Sequence, residues 1–373
     1  MASALAGAAG RNRTIAIAGR SSKCLMAGPI ERADVRLSTC AMNRVLQYEP
    51  QDLTISVEAG LQWRELTRLL AANGQMVPID PPFSEMATVG GVLAANSSGP
   101  RRRLYGTARD LVIGLEFATL EGKLVRSGGL VVKNVAGLDL AKLMIGSFGT
   151  LAAITKVNFK LTPMPEQERS FLISFDSLSA ATAARNRILQ GVLQPAALDL
   201  LNPAAAGALG SATWMLALRC GGNAAAIERY ERELAALGEG MAFDDERQEL
   251  LWRRIEDFTP AYLSAHADGA VVRASCTLKG VEETIASLPG AAVARAGSGV
   301  VYGYFEDCQS AAAWMSAAAT RNWKAVIEFA PASRRSLLEL WPNPGRDLEI
   351  MRRIKKLFDP LNLLNRGRLY RHL

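Results

Sequence analysis

The chain has 373 residues, which is enough for two or three domains at about 150 residues each. Hydrophobic residues make up 49% and charged residues 21%, a composition that excludes a disordered chain. The 43 basic and 36 acidic residues leave a net charge of +7. This mild and dispersed excess suits anionic ligands but does not indicate a nucleic-acid-binding protein.

The cysteine and histidine contents exclude two further classes of protein. The five cysteines contain no C-x-x-C pair and are odd in number, so we expect reduced thiols in a cytosolic-type compartment and no disulfide framework or zinc ribbon. The two histidines are His266 and His372. A three-histidine metal site is therefore impossible, and we predict no metal site.

No targeting or membrane-spanning segment is expected. Residues 1–11 have neither a basic region nor a long apolar run, unlike a signal peptide. The longest uncharged stretch, residues 200–218, is interrupted by Pro203 and by glycines, which argues against a membrane span. We expect a cytoplasmic protein, with peripheral contact to the inner membrane as the most it could make.

The first half of the chain predicts strands separated by glycine-rich turns. From hydrophobic periodicity, strands are predicted over residues 15–18, 53–57, 112–120 and 152–161, and helices over 61–73 and 140–145.

After Pro163 the pattern becomes an alternation of strands and helices. Strands are predicted over 171–175, 197–201, 214–219, 271–276, 300–305 and 325–329, and helices over 178–189, 224–237, 281–288, 311–319 and 348–358. This alternation predicts an α/β layer with helices on one face. The last helix carries Ile350, Met351, Ile354, Leu357 and Phe358 on one side and Arg352, Arg353, Lys355 and Lys356 on the other. We expect its apolar side to pack on the first domain; docking on an anionic membrane or partner is the alternative.

Four segments of the first half are rich in glycine and hydroxyl residues. They cover residues 18–23, 88–100, 128–140 and 146–155. Free backbone N–H groups in such segments can bind anions, and the alternative at each is an ordinary polar turn. The run 101–103 is either a phosphate clamp or a solvated charged surface. Rossmann, P-loop and G-x-S-x-G motifs are absent from the sequence, which argues against those nucleotide sites and against the usual hydrolase nucleophile.

In this order and spacing, the segments resemble the FAD-binding half of the vanillyl-alcohol oxidase / p-cresol methylhydroxylase-type flavoproteins. The resemblance is carried by ANSSGPRR at 95–102, VKNVAGLDL at 132–140, GSFGTL at 146–151, and FDP at 358–360 followed by NRGR at 365–368. It implies an α+β fold: a p-cresol methylhydroxylase-type FAD-binding domain of two α+β subdomains at 1–163, an α/β cap domain for substrate or partner at 164–345, and a C-terminal segment at 346–373 that returns to the FAD domain.

The resemblance also implies a site for FAD. The loop 19–23 and the segment 88–99 would surround the pyrophosphate, and residues 149–154 would line the adenine and flavin side. No His or Cys lies within 88–106, where some members attach the flavin, so the FAD is expected to be non-covalent. The implied cofactor-binding residues are Gly19, Arg20, Ser21, Ser22, Lys23, Thr88, Gly90, Gly91, Asn96, Ser98, Gly99, Arg102, Gly106, Gly146, Gly149, Ile154 and Asn365.

The catalytic groups are less clear from the sequence. Related enzymes carry a histidine-rich motif in the cap that binds a metal and a 2-hydroxy acid, whereas this cap has only His266. A lone histidine is more often structural than catalytic, so His266 and Arg368 are weak candidates. The first loop also has Arg20, Ser21 and Ser22 where a triple-glycine run is usual.

The resemblance implies a subunit of a glycolate-oxidase-like complex. Its partners would be a second, catalytic FAD-linked subunit and an iron–sulfur subunit, and its small-molecule substrate a 2-hydroxy acid such as glycolate or D-lactate. Two alternatives remain open at this point. One is a self-sufficient FAD-dependent oxidoreductase, and the other is a flavin-free scaffold.

Overall fold

The computed structural model describes residues 1–130, 138–342 and 344–373. The strands are β1 (Ile15–Ala18), β2 (Val35–Ser38), β3 (Val45–Glu49), β4 (Thr54–Glu58), β5 (Gln75–Met76), β6 (Val112–Ala118), β7 (Leu124–Gly128), β8 (Ala153–Lys160), β9 (Thr162–Pro163), β10 (Gln167–Phe175), β11 (Ala197–Leu201), β12 (Trp214–Gly222), β13 (Gly240–Phe243), β14 (Ala270–Ser275), β15 (Ala292–Arg295), β16 (Val300–Phe305) and β17 (Lys324–Phe329).

The α-helices alternate with these strands along much of the chain. They are α1 (Ala2–Ala9), α2 (Trp63–Ala71), α3 (Val89–Ala94), α4 (Arg102–Tyr105), α5 (Ala108–Leu111), α6 (Leu140–Met144), α7 (Leu178–Gln190), α8 (Pro203–Ala206), α9 (Ala224–Ala235), α10 (Asp245–Glu256), α11 (Phe258–Ala265), α12 (Val281–Ala286), α13 (Cys308–Thr320), α14 (Ala332–Arg335) and α15 (Asp347–Phe358). Among the described residues, no helix is both long enough and apolar enough to cross a membrane.

The chain forms two compact units. Unit 1 comprises Met1–Ser98, Gly106–Met164 and Pro344–Leu373, and unit 2 comprises Gly99–Tyr105 and Pro165–Asn343. Unit 1 is therefore built from three separate stretches of sequence, and the short segment 99–105 belongs to unit 2.

Unit 1 is organised around a five-stranded antiparallel sheet in the order β3-β4-β8-β6-β7. The helix α2 buries Trp63, Leu66 and Leu70, whose spacing places them on one face of a helix. Trp63 meets Phe159 of β8 edge to face, with ring centroids 6.3 Å apart. This hydrophobic core fixes the loops that follow the strands.

A smaller core in unit 1 joins the two ends of the chain. Strand β1 pairs in parallel with β2, and Ile15 also forms a parallel bridge with Leu364. Leu5 of α1 is fully buried in the same cluster as Ile15 and Leu364. The C-terminal segment therefore pairs with β1 at Leu364, on the edge of β1 opposite to β2.

Unit 2 contains an eight-stranded sheet in the order β13-β10-β12-β11-β15-β16-β14-β17. Every strand pair in this sheet is antiparallel. The strands predicted over 197–201 and 300–305 coincide with β11 and β16. The predicted alternation of strands and helices is therefore present, in an antiparallel arrangement.

The structure contradicts one prediction about α15. Ile350 is 59% and Leu357 81% exposed, although both were assigned to the packed face. Ile354 and Phe358 do pack against the unit 1 core, but Lys355, which was assigned to the solvated side, is 5% exposed. The packed face is rotated because Lys355 finds buried polar partners.

Candidate functional site

Four segments that are far apart in sequence meet within unit 1. The first two contact each other at Gly19 and Thr88, where a Cβ atom built on Gly19 would lie 2.2 Å from Oγ1 of Thr88. Only glycine fits so close an approach. The Thr88 side chain caps α3 by accepting a hydrogen bond from the Gly91 N–H at 3.3 Å. The loop after β1 and the start of α3 are therefore held together.

The third segment, residues 146–149, lies against the end of α3. The N–H of Gly146 donates to the Leu93 carbonyl at 3.0 Å, and that of Phe148 donates to the Ala94 carbonyl at 2.8 Å. A Cβ atom on Gly146 would meet Cβ of Asn96 at 3.4 Å. The two glycine-rich segments thus form one continuous backbone surface.

Asn365 joins the C-terminal segment to this surface. Its Oδ1 accepts a hydrogen bond from the Ile17 N–H at 2.7 Å, and its Nδ2 donates to the carbonyls of Phe148 at 2.7 Å and Ile17 at 3.2 Å. Its Nδ2 would lie 2.6 Å from a Cβ on Gly149. The amide of Asn365 therefore positions β1 against the 146–149 loop.

Arg368 stabilises the first loop through backbone carbonyls. Its guanidinium donates to the carbonyls of Lys23 at 2.8 Å and Gly28 at 2.7 Å, and also to that of Met26. The guanidinium carbon also lies 5.5 Å from the centre of the Phe148 ring. These contacts give Arg368 a positioning role and leave it a poor candidate for catalysis.

A buried ion pair secures the same region from α15. Lys355 Nζ donates to Asp359 Oδ2 at 2.5 Å, to the Thr150 carbonyl at 2.8 Å and to the Leu364 carbonyl at 3.1 Å. Asp359 in turn accepts from the N–H groups of Leu363 and Leu364. Burial lowers the pKa of Lys355, and its hydrogen bond to Asp359 opposes that shift. Sequence analysis missed this pair, although the i, i+4 spacing of Lys355 and Asp359 is its signal.

Backbone strain concentrates in the converging segments. Ser21, Asn96, Phe148 and Asn365 all have positive φ angles, with Phe148 at 53°. The left-handed conformation costs roughly 1–2 kcal/mol for a residue with a side chain. Such strain persists where surrounding contacts enforce it, and it is characteristic of functional sites.

Two serine hydroxyls in these segments are buried without a hydrogen-bond partner. Ser97 Oγ and Ser147 Oγ make no hydrogen bond within the described ranges of the chain, and the two residues are 5% and 7% exposed. An unsatisfied buried hydroxyl costs about 1–3 kcal/mol. A polar ligand with phosphate or carbonyl oxygens would satisfy both groups, so the site fits a dinucleotide such as FAD.

Several other predicted cofactor residues lie in different surroundings. Lys23 is buried, with its ammonium 5.9 Å from the centre of the Phe83 ring, and Ile154 is buried in the unit 1 core. At Gly106 a Cβ would lie 2.5 Å from Asp110 Oδ2. Gly99 and Arg102 belong to unit 2. The predicted VKNVAG phrase at 132–137 lies outside the described residues.

Arg103, in the basic run of unit 2, has a structural role. Its guanidinium donates to the Pro195 carbonyl at 2.8 Å and to Gln194 Oε1 at 3.1 Å. Burial lowers the pKa of Arg103. This part of the run is therefore neither a solvated surface nor available as a clamp.

His266 also has local partners, in unit 2. Its ring stacks on Tyr262 with centroids 4.0 Å apart, and its Nδ1 lies 3.0 Å from the Tyr262 carbonyl oxygen. These contacts anchor His266 at the end of α11 and support a structural role. Across the described parts of the chain, no group of three His, Cys, Asp or Glu side chains could hold a metal ion.

Comparison with known proteins finds family models that match the first and the last part of the chain. Residues 1–128 match the family model of the FAD binding domain, and residues 341–369 match that of the C-terminal domain of FAD linked oxidases. The chain is 36% identical over 161 residues to "Glycolate oxidase subunit GlcD" of Bacillus subtilis, covering 43% of this chain and 34% of that protein. It is 38% identical over 159 residues to "Glycolate oxidase subunit GlcE" of Escherichia coli, covering 42% of this chain and 44% of that protein.

Two further comparisons extend over most of the chain. A "D-lactate dehydrogenase" of Archaeoglobus fulgidus is 26% identical over 388 residues, covering 90% of this chain and 81% of that protein. The solved structure of 4-ethylphenol oxidase from Gulosibacter chungangensis superposes with a TM-score of 0.75 at 17% identity, covering 98% of this chain and 86% of that one. The chain spans less than half the length of the two glycolate oxidase subunits that it matches.

These results agree with the contacts of unit 1. The matched C-terminal segment contains Lys355, Asp359, Asn365 and Arg368, the residues that fix the glycine-rich loops. The chain therefore carries an FAD binding domain at residues 1–128 and the C-terminal segment of FAD linked oxidases at residues 341–369, and its cofactor is FAD.

Proposed function

We propose that the converging segments of unit 1 hold FAD non-covalently. The loop at 19–23 and the segment at 88–98 would bind the pyrophosphate through backbone N–H groups, with Ser97 and Ser147 contributing hydroxyl donors. Asn365 and Arg368 would position these loops without donating to the cofactor. The observation that supports this most directly is the pair of buried serine hydroxyls without protein partners, in segments joined by backbone hydrogen bonds.

We further propose that the protein oxidises a small 2-hydroxy acid, glycolate or D-lactate, to the 2-oxo acid. When bound, FAD supplies the acceptor for the two electrons that leave the hydroxyl-bearing carbon. The names of the glycolate oxidase subunits and of the D-lactate dehydrogenase support this substrate class. The protein's own part in the reaction is to orient the flavin and the acid and to exclude water between them.

The protein is proposed to work as the FAD-binding subunit of a glycolate-oxidase-like complex. The likeness to two subunits named for one oxidase supports an assembly of several chains. Its partners would be a second FAD-linked subunit and an iron–sulfur subunit, which receive the electrons.

The test is to purify the full chain alone and after co-expression with the proposed FAD-linked and iron–sulfur subunits. We expect a yellow protein whose FAD is released by acid precipitation, which shows non-covalent binding. Glycolate and D-lactate are then assayed with an artificial electron acceptor. Rapid turnover by the chain alone would favour a self-sufficient oxidoreductase. A colourless chain that does not take up added FAD would favour a flavin-free scaffold.

A further inference from the structure

One face of the unit 2 sheet carries polar side chains at its centre. Successive residues of a strand point to opposite faces. Phe305 of β16 contacts Trp314 of α13, with ring centroids 6.4 Å apart, so odd-numbered positions of β16 face that helix. Tyr302 and Tyr304 therefore lie on the other face of the sheet.

The strand register places two arginines beside Tyr302 on this face. Arg273 of β14 stands directly opposite Tyr302. On the other side, Val293 of β15 is opposite Tyr302, and Arg295 follows two residues later on the same face. The guanidinium carbon of Arg295 lies 5.6 Å from the centre of the Tyr302 ring. Arg273, Tyr302 and Arg295 thus form a row across three neighbouring strands.

A carboxylate stands at each end of the row. Arg295 forms a buried ion pair with Asp199 of β11, and Arg273 Nε lies 3.0 Å from Glu328 Oε1 of β17. The Asp199 side chain has no exposed surface, and that of Glu328 is 9% exposed. The two acids hold the arginines in place and are themselves shielded from water.

One buried donor in the row has no hydrogen-bond partner within the described part of the chain. Arg295 is 8% exposed, and its Nε makes no hydrogen bond. Tyr302 beside it is half-buried, whereas the Tyr304 hydroxyl two residues away is bonded to Thr259 Oγ1 at 2.9 Å. A buried donor without an acceptor is costly, so the Arg295 guanidinium calls for a ligand that brings oxygen acceptors.

We propose that Arg295 and Tyr302 bind the carboxylate of a small monocarboxylate, with Arg273 adding positive charge beside it. This assignment rests on the proposed function, because a 2-hydroxy acid brings such a carboxylate to the protein. Asp199 and Glu328 flank the row, so a second carboxylate on the ligand would be repelled and its desolvation left uncompensated. The site therefore selects monocarboxylates over dicarboxylates.

The electrostatics of Tyr302 agree with its role as a donor. Burial raises the pKa of Tyr302, and Glu328 raises it further, while the neighbouring arginines oppose the shift. The phenol is consequently protonated at neutral pH and offers its O–H to an anion.

The test measures ligand binding and not turnover. Pyruvate, a 2-oxo monocarboxylate with no hydroxyl to oxidise, is titrated into the full FAD-loaded chain by calorimetry, and 2-oxoglutarate serves as the dicarboxylate. We expect pyruvate to bind at least tenfold more tightly than 2-oxoglutarate. Tyr302→Phe removes one hydrogen bond to a charged oxygen and should weaken pyruvate binding about tenfold to a hundredfold.

Tyr304→Phe is the matched control, because it removes a hydroxyl from the same strand and face that already has a protein partner. It should leave pyruvate affinity within twofold of the parent. Arg295→Lys, checked for folding by its thermal midpoint, should weaken binding as Tyr302→Phe does. Absence of pyruvate binding, or an unchanged affinity in Tyr302→Phe, overturns the proposal. The FAD content of each sample distinguishes failure of this proposal from failure of the proposed function. A yellow protein that gives either of these results contradicts only the carboxylate site, whereas a protein that binds no FAD contradicts the proposed function.

Discussion

At the scale of single residues, Asn365 shows how one amide can hold a site together. It combines a φ of 41° with three hydrogen bonds to backbone groups of β1 and the 146–149 loop. Sequence analysis identified Asn365 as polar and close to the cofactor. Its actual partners lie 348 and 217 residues away in the chain. A local sequence pattern cannot predict contacts between residues so far apart in sequence.

Replacing Asn365 should destabilise unit 1. We expect Asn365→Ala to lower the free energy of unfolding by about 2–4 kcal/mol, because each lost bond contributes about 1 kcal/mol and buried groups are left unpaired. Urea unfolding followed by tryptophan fluorescence measures this change. Asn322→Ala is the control, since Asn322 is exposed with a φ of 55° and reports the backbone strain alone. Equal losses in the two variants would contradict the positioning role.

The two unpartnered serines give a second prediction at this scale. Ser97→Ala and Ser147→Ala should each weaken FAD binding by about 1 kcal/mol or more, since a hydrogen bond to the cofactor is lost. Without FAD, both variants should be as stable as the parent or slightly more stable, because an unsatisfied hydroxyl is removed. Fluorescence titration of the FAD-free chain and thermal unfolding measure the two quantities.

Ser56 provides the control for these serines. Its Oγ is also buried without a hydrogen-bond partner within the described residues, but Ser56 belongs to β4 and not to the converging segments. Ser56→Ala should therefore reproduce the effect on stability and leave FAD affinity unchanged. If Ser56→Ala weakens FAD binding as much as Ser147→Ala does, the serines do not contact the cofactor.

At the scale of elements, the strands of unit 2 were the easiest to predict. Their apolar runs match β11 and β16 residue for residue. Helix α10 was missed because charged residues dominate 245–257, although Leu251, Trp252 and Ile255 repeat at helical spacing. Sheet order could not be predicted, because β11 pairs with β15 across nearly a hundred residues, and strand composition does not specify the partner.

Helix α15 offers a direct comparison of a buried and an exposed ion pair at the same spacing. Asp359→Asn leaves the buried ammonium of Lys355 without its counter-ion, so we expect a loss of about 3–5 kcal/mol of unfolding free energy. Glu349→Gln breaks the pair with Arg353, whose side chains are 71% and 76% exposed, and should cost less than about 0.5 kcal/mol. Urea unfolding compares the two variants. Similar small losses in both would show that the Lys355–Asp359 pair does not secure the tail.

At the scale of the whole molecule, unit 1 closes only when both ends of the chain meet. The Ile15 N–H donates to the Leu363 carbonyl at 2.8 Å, and the Asn365 N–H donates to the Ile15 carbonyl at 2.9 Å. Because the pairing spans almost the full sequence, its loop-closure entropy is compensated only after the rest of unit 1 has formed. The resemblance predicted a returning C-terminal segment, whereas the specific pairing with β1 follows only from the structure.

A chain that stops at Phe358 should therefore lose order in unit 1 selectively. Without residues 359–373, β1 keeps only β2 as a partner, and the 19–28 and 146–149 loops lose Asn365 and Arg368. Hydrogen–deuterium exchange should become faster across β1 and both loops, while the strands of unit 2 keep the protection of the full chain, because their ladders are internal to that unit. Leu361→Ser, at a position that is 62% exposed, is the control and should leave exchange unchanged throughout. Uniformly faster exchange in both units would instead mean that the tail stabilises the whole chain as one cooperative body.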